Sequence, residues 1–183
     1  MESCGFPSFV NHQLPTANRQ RAFTLIEVLV AALVITLGAS ASFALAQRTL
    51  SFTADAAFRF EASYLAQEGM EIARNIRDAN FLKIHKGQGG AWTDGLTESG
   101  CSGGCQADYT QNSLGAYQDT FLGFSNGWYS YDEAGTDSLY KRKITVTQQG
   151  GDVLEVEVEV TWQERGRSHS VKAAGELYNW LSP

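Results

Sequence analysis

An apolar run near the N-terminus constrains this chain more than any other feature. Between Phe23 and Ala46 there are 24 residues with a single charge, that of Glu27. A helix of this length is long enough to cross the ~30 Å hydrocarbon core of a bilayer. Arg19 and Arg21 precede the run, and no basic residue follows until Arg48. This asymmetry predicts a single-pass membrane helix with its N-terminus in the cytoplasm and the rest of the chain outside.

Glu27 is the residue that separates this run from a simple anchor. An unpaired charge inside a bilayer costs at least about 2.5–3.5 kcal/mol on insertion scales, so it predicts a partner and a function. The residues around it, AFTLIEVLVAALVI from Ala22 to Ile35, resemble the cleavage and methylation motif of type IV pilins and type II secretion pseudopilins.

The resemblance implies specific roles for three residues. In that family a basic leader is cut just before a Phe, the new amino group is methylated, and a Glu four residues later guides assembly. Carried onto this chain, Ala22 ends the leader, Phe23 is the first mature and methylated residue, and Glu27 is the assembly carboxylate. Ala22 departs from the family, which usually has Gly there. Residues 1–22 are then a long leader; the alternative is a disordered cytoplasmic tail on an uncleaved protein.

A second helical segment follows the membrane run. There is no Pro between Gln47 and Lys86, and Gly87 follows a cationic last turn, which predicts that the helix continues to His85. At 100° per residue its apolar side chains fall on one face: Phe58, Ala62, Leu65, Gly69, Ile72, Ala73 and Ile76. Phe60 and Tyr64 fall on the polar side, either as ordinary surface aromatics or as contacts with neighbouring stems.

The C-terminal third predicts a sheet. Residues 139–183 contain three runs of alternating polarity, separated by the turn signals Gly150-Gly151 and Arg165-Gly166. In the middle run Leu154, Val156, Val158, Val160 and Trp162 alternate with polar residues, most of them glutamates, so one face is apolar. We therefore expect an α+β fold in which the stem helix packs on an antiparallel three-stranded sheet. Residues 87–138, rich in Gly and Ser, have no clear periodicity and occupy the place of the family's variable region.

The cysteines fit an exported protein. Cys4 lies in the leader and is lost on cleavage, which leaves Cys101 and Cys105 as an even pair in an oxidising compartment. We expect them to form a disulfide that fixes local shape, since the loop is short. The alternative is half of a metal site, but no second ligand pair lies nearby in the sequence.

Other candidate sites carry weaker signals. Asp132, Glu133 and Asp137 could ligate Ca²⁺, although acidic, Gly-containing loops are usually solvated turns and this spacing misses the EF-hand pattern. Glu155, Glu157 and Glu159 fit the solvated side of a strand better than a catalytic acid pair. His85 and His169 lack a nucleophile or acidic partner motif. We therefore expect no enzyme activity, no metal and no cofactor.

The favoured interpretation is a structural subunit of a filament. Its segments would be a leader (1–22), a membrane and filament-core helix (23–48), a stem (49–86), a variable region (87–138) and the sheet of the head (139–183). Its partners would be other pilin subunits, the prepilin peptidase and methyltransferase, a membrane assembly platform and, before assembly, the lipid bilayer. A net charge of −6 offers no footprint for nucleic acid. The alternative is a membrane-tethered binding protein that never polymerises and captures a ligand with its variable region.

Overall fold

A computed structural model describes residues 22–97, 100–131 and 135–181. One helix, α1, covers Leu25–His85. Within these described ranges eight strands follow: β1 Cys105–Gln106, β2 Gly115–Ala116, β3 Gly123–Ser125, β4 Trp128–Ser130, β5 Thr136–Asp137, β6 Tyr140–Gln148, β7 Val153–Glu164 and β8 Arg167–Tyr178. The chain divides into two compact units, Met1–Thr49 and Leu50–Pro183, so α1 contributes to both. The expected leader falls almost entirely outside the described residues.

The C-terminal end of α1 is set by Gly87, as predicted. Gly87 has a φ of +71°, a left-handed conformation that glycine adopts without steric cost. Its N–H donates to the carbonyl of Ile84 at 3.0 Å, and the N–H of Gln88 donates to the carbonyl of Lys83 at 3.0 Å. These two bonds form a Schellman motif, which satisfies carbonyls that the end of the helix would otherwise leave free.

The predicted apolar stripe of the stem is confirmed. All of its members except Phe58 are buried, and Phe58 packs partly buried against the same core. The buried face also includes four residues that the prediction did not contain: the apolar Ala66, Met70 and Phe81, and the polar Asn80. Asn80 donates from its amide to the carbonyls of Trp92 at 3.2 Å and Asp94 at 2.7 Å. The end of the stem is therefore tied to the loop that follows it.

The main sheet has five antiparallel strands in the order β2-β1-β6-β7-β8, so the expected number of three was wrong. The three predicted strands are present as β6, β7 and β8, joined by tight connections. Arg165 and Gly166, with φ of 49° and 75°, form the turn between β7 and β8. The two additional strands come from the variable region: β1 pairs with β6, where Cys105 lies opposite Ile144, and β2 pairs with β1. β1 therefore covers part of the edge of β6 that a three-stranded sheet would leave open.

The rest of the variable region forms a second small sheet in the order β4-β3-β5. Asn126 and Gly127, with φ of 52° and 86°, turn the chain between β3 and β4, and Ser125 lies opposite Trp128. Tyr129 donates a hydrogen bond from its hydroxyl to the carboxylate of Glu61 on the stem. The variable region is thus attached to the stem helix.

The stem and the main sheet meet around a buried arginine. The side chain of Arg142, in β6, is fully buried. Its guanidinium donates to the carbonyls of Leu65 at 3.2 Å and Ala107 at 2.7 Å, and it lies 3.2 Å from the carboxylate of Glu68. One side chain therefore joins α1, β6 and the residue after β1.

Gly69 allows the stem to approach this arginine. A Cβ atom at Gly69 would lie 2.7 Å from Cγ1 of Val158 and 3.1 Å from Cδ of Arg142. Both distances are shorter than ordinary carbon–carbon contacts of about 3.5–4.0 Å. A glycine inside a helix costs about 1 kcal/mol relative to alanine, so its presence here indicates that close packing outweighs helix propensity.

We expect Gly69→Ala to destabilise the protein by about 1 kcal/mol, because an overpacking cost of about 1–3 kcal/mol exceeds the gain in propensity. Urea denaturation of the full chain in detergent micelles, followed by tryptophan fluorescence, measures this change. Gln67→Ala, at an exposed position of the same helix, is the control and should leave the unfolding midpoint unchanged or slightly raised. If both variants were stabilised equally, the contact with Val158 would not be tight.

Candidate functional site

The candidate site is the start of α1, from Ala22 to Glu27. Ala22, Phe23 and Thr24 precede the helix, which begins at Leu25. The N–H of Glu27 donates to the carbonyl of Thr24 at 3.1 Å and lies 3.4 Å from its hydroxyl oxygen. Thr24 is therefore the N-cap residue. Thr24 and Glu27 also have the spacing of a capping box, in which the Glu three residues after the cap supports the first turn.

Sequence reasoning missed this cap, although the T-x-x-E spacing signals it. If the helix began at Phe23, residues 23 and 27 would share a helix face. In the structure Phe23 lies outside the helix, because Thr24 takes the cap position and caps have non-helical backbone. The bond between Ala22 and Phe23 thus lies in non-helical chain, two residues before the helix begins.

The helix that follows presents an apolar surface. Its segment near the N-terminus is long and apolar enough to span a membrane, with a mean hydropathy of 2.3 and no buried residue in that window. Its hydroxyl side chains are satisfied within the helix: Thr36 donates to the carbonyl of Leu33 at 2.9 Å, and Ser42 donates to that of Gly38 at 2.8 Å. These bonds make the polar side chains compatible with lipid, where water is absent. Glu27 is the only charge between Phe23 and Ala46.

The two head cysteines form a disulfide. The Cα atoms of Cys101 and Cys105 lie 5.0 Å apart, and both residues are buried. Cys101 accepts a hydrogen bond at its carbonyl from the N–H of Val146 at 3.1 Å, while Cys105 begins β1. Gly104, with a φ of +116°, lies against the side chain of Lys143, and a Cβ there would be 2.9 Å from Cδ of that lysine. The disulfide loop therefore packs along β6.

The remaining candidates are not brought together into a site. Asp132 and Glu133 fall outside the described residues, and Asp137 lies in β5 opposite Gly123. Within the ranges that the structure describes, no group of three or more His, Cys, Asp or Glu side chains could hold a metal ion. Glu157 and Glu159 lie on the solvent-facing side of the sheet, where the ammonium of Lys172 is 2.8 Å from the carboxylate of Glu157 and 3.8 Å from that of Glu159. His85 is exposed, and His169 stacks on Trp162 with ring centroids 5.4 Å apart.

Comparison with known proteins identifies the N-terminal segment alone. Residues 17–43 match the family model described as the prokaryotic N-terminal methylation motif. No curated protein and no solved structure matches the chain. The match includes Ala22, Phe23 and Glu27 and ends within the apolar run. The sheet, the variable region and the stem must therefore be interpreted from their own residues.

We expect Cys101 and Cys105 to be oxidised in the exported protein. Alkylation of the denatured protein followed by intact-mass analysis should add two labels only after reduction. Any precursor that retains Cys4 provides an internal control, because that thiol should be labelled in both conditions. In the matched variant Cys101→Ser, Cys105 should be labelled without reductant. Equal labelling of the wild-type head cysteines with and without reductant would contradict the bond.

Proposed function

We propose that this chain, which carries the N-terminal methylation motif that is the signature of type IV pilins and pseudopilins, is a structural subunit of such a filament. The motif implies processing by a prepilin peptidase and assembly with other pilins. The proposed role is structural: the chain would supply packing surfaces, and the processing peptidase and assembly machinery would supply the chemistry.

One observation carries this proposal: the matched motif coincides with a lipid-compatible helix that has a single carboxylate in its first turn. A simple anchor needs an apolar helix but gains nothing from Glu27, which opposes insertion. A filament core needs both features. Removal of the helix from lipid requires other helices to cover the apolar surface, and a charge within that surface requires a partner at a defined position.

The geometry near Phe23 fits the proposed cleavage. A peptidase must accommodate the backbone on both sides of the bond that it hydrolyses, and helical backbone cannot be accommodated in this way. Thr24, one residue after Phe23, caps the start of the helix. Hydrolysis of the Ala22–Phe23 bond would therefore leave every hydrogen bond of α1 intact. Ala22, the residue before the bond, has the smallest side chain after the Gly that the family usually has there.

Cleavage would also create the partner for Glu27. The new amino group on Phe23 is a cation close to the first turn of the helix. Within the bilayer it can pair with Glu27 of the same chain; in a filament the alternative partner is the amine of the adjacent subunit. An intermolecular pair in a medium with little water would set the axial register between subunits.

Within this function we propose the role of a minor subunit at the tip or in priming. The support is the likeness of the C-terminal meander, VEVTWQERGRSHSV, to the heads of minor pilins and pseudopilins, and the absence of a large disulfide-bounded region at the C-terminus. The protein would reside in the cytoplasmic membrane with its head outside before it enters a surface or periplasmic filament. The alternative function is a tethered binding protein, which would remain with membranes when surface filaments are sheared off.

We expect cleavage between Ala22 and Phe23 with methylation of the new amine. Intact-mass analysis of protein from membranes should show a species that begins at Phe23 with one added methyl group. Ala22→Leu should accumulate the precursor, because a large side chain replaces the small one beside the bond. Ala31→Leu makes the same change within the apolar run and should be processed normally. A wild-type protein that mainly retains Met1 would overturn the assignment.

We expect Glu27→Val to insert and be cleaved but to enter filaments poorly. The substitution removes a charge that opposes insertion, and it also removes the partner of the amine in the adjacent subunit. The measurement is the ratio of protein in sheared filaments to protein in membranes, which should fall by about tenfold or more if the lost pair is worth at least 1.4 kcal/mol. Thr36→Val, a polar-to-apolar change in the same helix, is the control. Incorporation of Glu27→Val at the wild-type level would remove Glu27 from the assembly mechanism.

A further inference from the structure

A groove lies between the stem and the loop that follows β1. It has a volume of 480 Å³ and is bounded by one face of α1 from Glu68 to Lys83 and by residues 108–112. This volume falls in the range of about 300–1,000 Å³ that is usual for small-molecule sites. Its lining combines apolar side chains of α1 with carboxylates, amides, Lys83 and Tyr109.

The carboxylates of the groove already have partners. Glu68 pairs with Arg142 at 3.2 Å, and Glu71 pairs with Arg74. Asp108 accepts hydrogen bonds from the N–H and hydroxyl of Thr110 at 2.9 and 2.6 Å and from the N–H of Tyr131 at 2.8 Å. Burial alone would raise the pKa of Asp108, but these bonds and the charge of Arg142 outweigh it and hold the pKa below its ordinary value. The groove therefore does not need a cation to neutralise it.

The polar groups that remain available are the ammonium of Lys83 and, more numerous, a set of side-chain amides. The side chains of Asn75, Gln111 and Asn112 are exposed along the two walls. An amide offers both a donor and an acceptor, which matches a ligand whose groups also do both. Hydroxyl groups have this property, whereas phosphates and carboxylates only accept.

An exposed aromatic pair stands at the rim of the groove: Tyr109 lines the groove, and Trp128 contacts Tyr109 from outside the lining. The rings of Tyr109 and Trp128 have centroids 5.4 Å apart, and the two residues are 52% and 61% exposed. Tyr109 lines the groove and is held beside the bonded Asp108, while Trp128 is fixed by its pairing with Ser125 in the β3–β4 hairpin. Two large aromatic side chains that contact each other and yet face solvent indicate a binding surface more than a packing one.

We propose that this groove binds a neutral oligosaccharide. The apolar C–H face of a sugar ring would stack on Trp128 and Tyr109, and its hydroxyls would exchange hydrogen bonds with Asn75, Gln111 and Asn112. An apolar ligand would leave these amides unpaired. An anion would face the carboxylates of Glu68, Glu71 and Asp108, against which the lining sets a single basic residue, Lys83. A cation would find carboxylates that already have partners.

The test follows the tryptophan indole N–H signals of the full ¹⁵N-labelled chain by NMR, in a detergent without a sugar headgroup. The probes are the tetrasaccharides of N-acetylglucosamine and of α-1,4-linked glucose. At least one should shift the Trp128 signal saturably below ~10 mM, and Trp128→Ala should weaken its binding about tenfold, the loss of a contact worth ~1.4 kcal/mol. Binding by Trp128→Ala is followed on the amide signals of the groove.

Two controls make the outcome decisive. Trp180→Ala removes a tryptophan that is similarly exposed, at 64%, but that contacts Phe81 and not Tyr109, and it should bind the sugar as the wild type does. Asn112→Ala should weaken binding without moving the other indole signals. The proposal is overturned if neither sugar gives a saturable shift or if Trp128→Ala binds as tightly as the wild type. It is also overturned if a cationic probe, tetralysine, binds at this site and neither sugar does.

Discussion

The compact unit Leu50–Pro183 depends most on the interactions of one buried group, the guanidinium of Arg142. Burial of a charge is costly unless it is paired and hydrogen-bonded, and removal of one partner of such a group typically costs several kcal/mol. Arg142 meets this condition with Glu68, the carbonyl of Leu65 and the carbonyl of Ala107, although its Nε has no partner among the described residues. Because these partners belong to the stem and to the segment after β1, no one of these elements can shift without the loss of a bond to a buried charge.

Gly69 and Val158 complete this arrangement from the apolar side. The missing Cβ of Gly69 admits Val158 and the aliphatic part of Arg142 against the backbone of the stem. Val158 is itself centred in the sheet, with Ile144 on one side and Ala173 on the other. The hydrophobic contact and the polar one therefore fix the same register of the stem on the sheet. That register in turn positions the groove and the aromatic pair at its rim.

The sequence allowed prediction of those parts of the fold that depend on repeated local patterns. The alternation along β7 and the apolar stripe of the stem are both periodic, and Gly87 is a local stop signal, so each could be recognised. Strands β1 and β2 could not, because two-residue strands form only where another strand offers an open edge. Arg142 occupies a core-facing position among apolar residues. From the sequence alone, a charged residue at such a position looks the same as a strand whose inward and outward faces have been assigned wrongly.

The same distinction applies to the candidate functional residues: those that are contiguous in sequence could be predicted, and those that are distant in sequence could not. Ala22, Phe23 and Glu27 were recognisable because the motif is contiguous, and the cap at Thr24 was within reach of the same residues. The groove was not. Asn75 and Tyr109 line it and Trp128 contacts Tyr109, but these residues are distant in sequence and come together only when the variable region folds onto the stem. Functions that depend on such surfaces must be derived from the folded head, for which no matching structure was found.

The cap at Thr24 has a further consequence, which concerns the electrostatics of the helix end. The first turn of an α-helix carries a partial positive charge, which disfavours a nearby cation by about 0.3–1 kcal/mol at an exposed site and by more where water is excluded. Hydrolysis before Phe23 would place an ammonium group one residue from this cap, so processing would bring together two charges of the same sign. Glu27, in the first turn, would be the compensating charge for both. Without such a cut no ammonium group would stand at the helix end, so the repulsion and its compensation by Glu27 would arise only with processing.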